Sequence, residues 1–160
     1  MRRFTIHNSQ FTICILLLLA VLSFSSCRRG VVHSSFVSIP SGEWCVDSVP
    51  QFGFTITDKE TAYDILLYVR HTERYPYQNM WLFVNNDRHR DTIEFYLADD
   101  RGQWLGNKHH GFIEMPVLYE SNYHFPDTGT YTIGVQHGMR DSLLRGITDV
   151  GIEIRKCENE

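Results

Sequence analysis

Apolar and polar residues alternate with period two through most of this chain. Phe52, Phe54 and Ile56 alternate with Gly53, Thr55 and Thr57, the pattern of a strand buried on one face. The run from Tyr63 to His71 is apolar on both faces, with Tyr63, Ile65, Leu67 and Val69 on one and Leu66 and Tyr68 on the other; such a strand belongs at the centre of a sheet. Asn79 to Val84 reads the same way. Ile93, Phe95 and Leu97 alternate again, up to Asp99-Asp100-Arg101-Gly102, where Gly102 can supply the positive φ of a hairpin turn. Phe112 to Tyr119 is strand-like but holds Pro116, which donates no ladder hydrogen bond and so predicts an edge. Gly129 to His137 alternates cleanly, and Val150, Ile152 and Ile154 close the series. Between these last two strands, Met139 to Leu144 has room for one helical turn at most. The pattern therefore predicts an all-β domain, an antiparallel β-sandwich of about seven to eight strands, with a barrel as the alternative.

The N-terminal region breaks this period. Arg2 and Arg3 precede an uncharged run from Phe11 to Leu22, and Ser-Phe-Ser-Ser leads into Cys27. A basic start, a short apolar run and small residues before a cysteine are the layout of a lipoprotein signal, whereas a spanning helix needs ~20 apolar residues. The alternative is an ordinary secretory signal cut nearby. Read as a lipoprotein, the chain divides into a signal peptide at residues 1–26, a Ser-, Gly- and Pro-rich tether at 27–50 beginning at the lipidated Cys27, and the sandwich at 51–160. More than one acyl chain on Cys27 supplies the anchoring that a single chain cannot.

Charge removes one class of partner. The chain has 15 Lys and Arg against 19 Asp and Glu, and the signal holds two of the basic residues and none of the acidic ones. The mature chain is acidic, without the basic face that tracks phosphates, so nucleic acid is not an expected partner. With Cys14 in the signal and Cys27 acylated, Cys45 and Cys157 remain. An oxidising compartment permits a bridge between them, which in the chain-entropy model would restrict the unfolded state by ~4–5 kcal/mol. The alternative is two separately buried thiols.

Motifs for chemistry are sparse. Histidines stand at His71, His89, His109, His110, His124 and His137, but without HExxH or CxxC spacing, and no metal or other cofactor is expected. His137 shares its parity with Tyr131 and Val135 and reads as a hydrogen-bonded core histidine. No GxSxG elbow or activated nucleophile is visible, and Asp99-Asp100 reads as a turn former, so an enzyme is not expected. Aromatics from Tyr75 and Tyr77 to Trp81 and Trp104 are the remaining candidates. Trp104, just after a turn, is either a platform for a sugar or protein partner or a core residue closing one end of the sandwich.

Three segments carry a resemblance. Tyr68-Val69-Arg70-His71 runs into Tyr75-Pro76-Tyr77-Gln78-Asn79-Met80-Trp81-Leu82-Phe83; Leu97-Ala98-Asp99 is followed by Gly102-Gln103-Trp104-Leu105-Gly106; and Gln136-His137-Gly138-Met139-Arg140 precedes Leu144-Arg145-Gly146-Ile147 and Asp149-Val150-Gly151-Ile152. In order and spacing these resemble the GldH family of gliding-motility lipoproteins of the Bacteroidetes. The resemblance implies a lipid-anchored protein of the outer membrane, facing the periplasm, that acts without catalysis in the gliding-motility and type IX secretion machinery. Its partners would be other envelope proteins of that apparatus and, through Cys27, the membrane. No catalytic residues come with the family. Trp104, Arg140 and Tyr77 are the partner-binding candidates, and a lipid-tethered carbohydrate-binding module is the competing function.

Overall fold

The computed structural model describes residues 30–86 and 89–157. Among these residues eleven strands run in order: β1 Val31–Ser38, β2 Glu43–Cys45, β3 Gln51–Ile56, β4 Tyr63–His71, β5 Asn79–Asn86, β6 Arg90–Tyr96, β7 Asn107–Lys108, β8 Ile113–Tyr123, β9 Gly129–His137, β10 Leu143–Arg145 and β11 Ile147–Lys156. A 3-10 turn at Pro40–Gly42 follows β1, and the described residues contain no α-helix. Five strands form one sheet in the order β1-β11-β4-β8-β7, four form a second in the order β3-β9-β5-β6, and β10-β2 is a small third ribbon. Every pairing is antiparallel.

The period-two pattern explains how the sheets meet. On β4 and β11, Leu67 faces Ile152, Val69 faces Val150 and Ile65 faces Ile154 across the ladder, all buried. Phe52, Phe54 and Ile56 of β3, Met80, Leu82 and Val84 of β5, and Ile133 and Val135 of β9 join them in one cluster. Fully burying one such side chain contributes about 1.5–3 kcal/mol, so the shared layer between the sheets dominates the fold's stability. As expected, β4 lies centrally, flanked by β11 and β8. Pro116 lies on β8, which pairs with β7 only through Glu114 and Ile113, so its missing N–H costs the ladder nothing.

The outer face of the five-stranded sheet is covered without a third layer. The Phe36 ring lies above Gly151 and tilts onto Tyr68 at 5.6 Å. The Arg70 guanidinium sits 3.8 Å from the centre of the Phe36 ring, and its Nε donates to Glu114 at 2.7 Å. Arg155 donates to the Tyr68 hydroxyl at 2.9 Å and also to Glu153. A cation–π contact and paired charges thus cover the apolar residues on the second face of β4.

Four expectations change here. The strands number eleven among the described residues, not seven to eight, because the short β2, β7 and β10 and the edge strand β1 add to those the alternation marks. Within the expected tether at 27–50, the described residues hold β1, an edge strand of the larger sheet, and β2, which pairs with β10. An edge strand buries little, so its Ser-rich sequence lacks the apolar alternation of the inner strands. The segment expected to hold one helical turn contains β10 instead. Cys45 and Cys157 are free thiols. Cys45 pairs with Leu143 at one end of the sandwich. At the other end the Cys157 N–H donates to the Ala62 carbonyl at 2.9 Å, and its thiol donates to Asp64 at 3.3 Å. The length of β4 separates those ends by roughly 26 Å at ~3.3 Å per residue, far beyond the ~7 Å limit of a disulfide. Phe11 to Leu22 and Cys27 lie outside the described residues.

Candidate functional site

The two ends of the sandwich differ. Val31, Tyr63 and Arg155–Lys156 lie together at one, as the register of β1, β4 and β11 requires. This is the end at which the chain comes in from Cys27, and we term it proximal. His71, Ser38, Ile147 and His137 lie at the other, the distal end.

Long-range bonds tie the distal loops together. The Gly146 N–H donates to the Gly42 carbonyl at 2.8 Å, and its own carbonyl accepts from Thr72 N–H at 2.8 Å. Val46 N–H donates to Ser142 carbonyl at 2.9 Å. Gly146 sits at φ +87°, and a Cβ there would fall 2.5 Å from the Tyr75 backbone nitrogen. Only glycine permits this crossing of three segments. In the loop that follows β6, Asp99 accepts from the N–H groups of Arg101 at 2.9 Å and Gln103 at 2.8 Å, and Gly102 takes φ +74°. The expected turn former does that work.

On this frame the three candidates come to the same end. Trp104 is half-buried and packs against the core. Its ring meets His71 edge-on at 4.7 Å and Tyr75 at 6.5 Å. Tyr75 in turn meets Tyr77 edge-on at 5.9 Å, and the Tyr77 hydroxyl donates to the Asp141 carboxylate at 2.7 Å. That bond raises the Tyr77 pKa, because the neutral phenol is the donor. It pins the loop before β5 to the loop after β9, where Arg140 is exposed and makes no hydrogen bond or ion pair among the described residues. Trp104 is therefore a packing residue rather than a free platform. Arg140 is the unengaged cation of the group.

Sequence reasoning gave His71, Asp141 and Trp44 no role at this end. Tyr77 and Asp141 are 64 positions apart, and no local spacing announces such a bond. Trp44 is fully buried, donates to the Ser48 carbonyl at 2.8 Å and lies edge-on to His137 at 5.2 Å. His137 is in the core as expected, but it is not hydrogen-bonded: neither ring nitrogen has a partner among the described residues, and the Trp44 backbone lies beside it outside bonding geometry. His71 donates through Nδ1 to the Thr72 carbonyl at 3.1 Å, leaving Nε2 without a partner. Burial pushes both imidazoles below the ordinary histidine pKa. Among the described residues no three His, Cys, Asp or Glu side chains converge on a site for a metal.

The geometry separates the two motif residues by effect. Trp104→Ala is expected to lower stability by about 2–4 kcal/mol in urea unfolding, since it strips a half-buried ring from the core. Arg140→Ala is expected to stay within about 0.5 kcal/mol of wild type, as exposed positions do.

Comparison with known families matches residues 31–154 to the GldH lipoprotein family. The chain belongs to that family. The match runs from the first residue of β1 to within β11 and so spans both main sheets and the distal loops. This GldH-family chain is 32% identical to a gliding motility lipoprotein GldH homolog of Christiangramia forsetii over 164 residues, covering 95% of this chain and 99% of the relative. It is 30% identical to the gliding motility lipoprotein GldH of Flavobacterium johnsoniae over 154 residues, covering 89% of this chain and 94% of that relative.

Proposed function

We propose that this GldH-family protein is a non-catalytic assembly component of the gliding-motility and type IX secretion machinery. In this reading, acyl chains on Cys27 hold it in the outer membrane with the sandwich facing the periplasm, and the distal end docks another envelope protein. The names of its relatives support the motility role, and the signal layout before Cys27 supports the anchor. One observation carries the docking surface: Arg140 stands exposed and unpaired at the end opposite the anchor, on a loop fixed by the Tyr77–Asp141 bond. A cation on a rigid loop meets a partner with little ordering cost, and arginine is a frequent interface hot spot.

Two measurements test this reading. Cys27→Ser is expected to remove acyl label and release the protein from the membrane fraction; a native protein without acyl label contradicts the anchor. Arg140→Ala at normal protein levels is expected to cut recovery of partners in a crosslinking pull-down at least tenfold, with secretion reduced. Unchanged recovery and secretion contradict the docking role.

The carbohydrate-binding alternative changes its residues. With Trp104 packed into the domain, the exposed aromatics among the described residues are Trp81 and Tyr96, diagonal neighbours on the outer face of β5 and β6, as the pairing of Trp81 with Glu94 and Asn79 with Tyr96 requires. Retardation in glycan-containing gels that Trp81→Ala abolishes would favour that reading over docking.

A further inference from the structure

A cavity of about 220 Å3 opens at the proximal end, between the two sheets. Its walls are Phe54, Ile65, Phe125 and Ile133, all buried, with Tyr123 and Tyr131 part-buried beside them. The walls cannot easily collapse inward. Phe125 meets Phe54 edge-on at 5.7 Å, Tyr63 at 5.5 Å and Tyr123 at 4.9 Å, so each ring is braced by its neighbours. An apolar cavity of ~150 Å3 already stays free of water and accepts benzene. This one is larger, preformed and apolar, and suits a short length of alkyl chain.

Its rim is polar. The Tyr119 hydroxyl donates to Asp91, and His89 Nε2 lies 2.8 Å from the same carboxylate. Asn86 and Glu120 complete the mouth. An apolar throat under a hydrogen-bonding rim suits a chain that goes in tail first and leaves a carbonyl at the surface.

Position identifies the occupant. The His33 ring of β1 lies 6.0 Å from Phe54, a cavity wall, so the strand that follows Cys27 packs behind one wall of the cavity. Cys27 is four residues before Val31, a span of at most ~14 Å. From β1 across β11 and β4 to β8 there are three strand spacings, also ~14 Å. The acyl chains of Cys27 thus reach the mouth, and tethering gives them a high effective concentration there. We propose that the cavity shelters one acyl chain of the protein's own Cys27 lipid while its remaining acylation engages the membrane. This rests on the anchoring reading above and adds a second state for the lipid.

Cells fed a diazirine-bearing fatty acid would incorporate it at Cys27, and irradiation of the purified full-length lipoprotein followed by peptide mass spectrometry reads where the chain lies. Intramolecular adducts on the peptides holding Tyr123 and Tyr131 are expected, and Ile133→Phe, which fills the cavity with an apolar ring, should reduce them at least fivefold. Ile65→Phe fills the same space from the opposite sheet and serves if the first variant folds poorly. Adducts that persist undiminished in a folded filling variant, or adducts only to detergent and membrane lipid, overturn the proposal. Labelling of the same peptides by phospholipid-borne probe with none from Cys27 also overturns it, in favour of a free lipid. Absence of label at Cys27 itself refutes the anchoring reading, a failure distinguishable from an acylated protein whose cavity is unlabelled.

Discussion

Gly146→Ala should lower the melting temperature by roughly 8–20 °C. Two effects add at this residue. Its φ of +87° lies in the left-handed region, where a residue with a Cβ is strained by ~1–2 kcal/mol. The new Cβ would also lie 2.5 Å from Tyr75 N and 2.8 Å from Tyr75 Cα. These are backbone atoms that cannot rotate away, and such overpacking costs ~1–3 kcal/mol. A sum of ~2–5 kcal/mol at roughly 4 °C per kcal/mol gives the stated shift. Gly102→Ala is the control. It shares the positive φ, at +74°, but a Cβ there meets nothing within 4 Å, so a loss of only ~1–2 kcal/mol is expected. Thermal melts of the two variants separate strain from collision, and equal shifts would show that the crossing at Gly146 does not hold the distal end together.

Mild acid should destabilise the fold through two histidines. Burial holds His71 and His137 below the ordinary value of 6.5 in the folded state. Below pH ~6.5 the unfolded chain therefore binds protons that the folded protein does not, so stability falls as pH falls and recovers as pH rises. The slope is about 1.4 kcal/mol per pH unit for each such histidine. It persists until the folded-state values are reached. The cause is burial, which outweighs the neighbours that favour the charged ring, the Thr72 carbonyl beside His71 and the Trp44 backbone and Asp141 beside His137. Urea midpoints measured from pH 7.5 to 5.5 should fall below pH 6.5. The double variant His71→Phe, His137→Phe should flatten that dependence, even if its stability at pH 7.5 differs. A flat wild-type profile over this range would contradict the placement of these side chains. Since His71 meets Trp104 and His137 meets Trp44, charging them would loosen first the end assigned to docking.

The strands with a two-sided or regular period were legible in the sequence. Tyr63–His71 and Gly129–His137 have in the structure the limits that their alternation indicates, because sandwich burial and side-chain direction share the same period. β1 was not legible, since an edge strand with Ser34, Ser35 and Ser38 buries too little to leave a pattern. β2, β7 and β10 are two or three residues long, shorter than any period that could reveal them. The candidate site was legible only as separate parts. Tyr77, Trp104 and Arg140 stood out singly, but their common end, the Tyr77–Asp141 bond and the support of Trp104 by His71 depend on register across sheets. The cavity was less visible still: Phe54, Ile65, Phe125 and Ile133 each look like ordinary core residues, and the space between them exists only once the sheets are packed. The free thiols teach the same lesson, since chain spacing carries no information about which end of β4 each cysteine lies beside.

The central claim is that the lipid holds one end of the sandwich and a partner engages the other. Site-specific photo-crosslinking in intact cells tests it most directly, with a photoreactive residue replacing exposed Leu143 at the distal end, so that Arg140 is kept, and, separately, Lys59 at the proximal end. The account predicts a discrete protein adduct from position 143 and none of that size from position 59. An adduct from position 59 alone, or the same adduct from both, would contradict it.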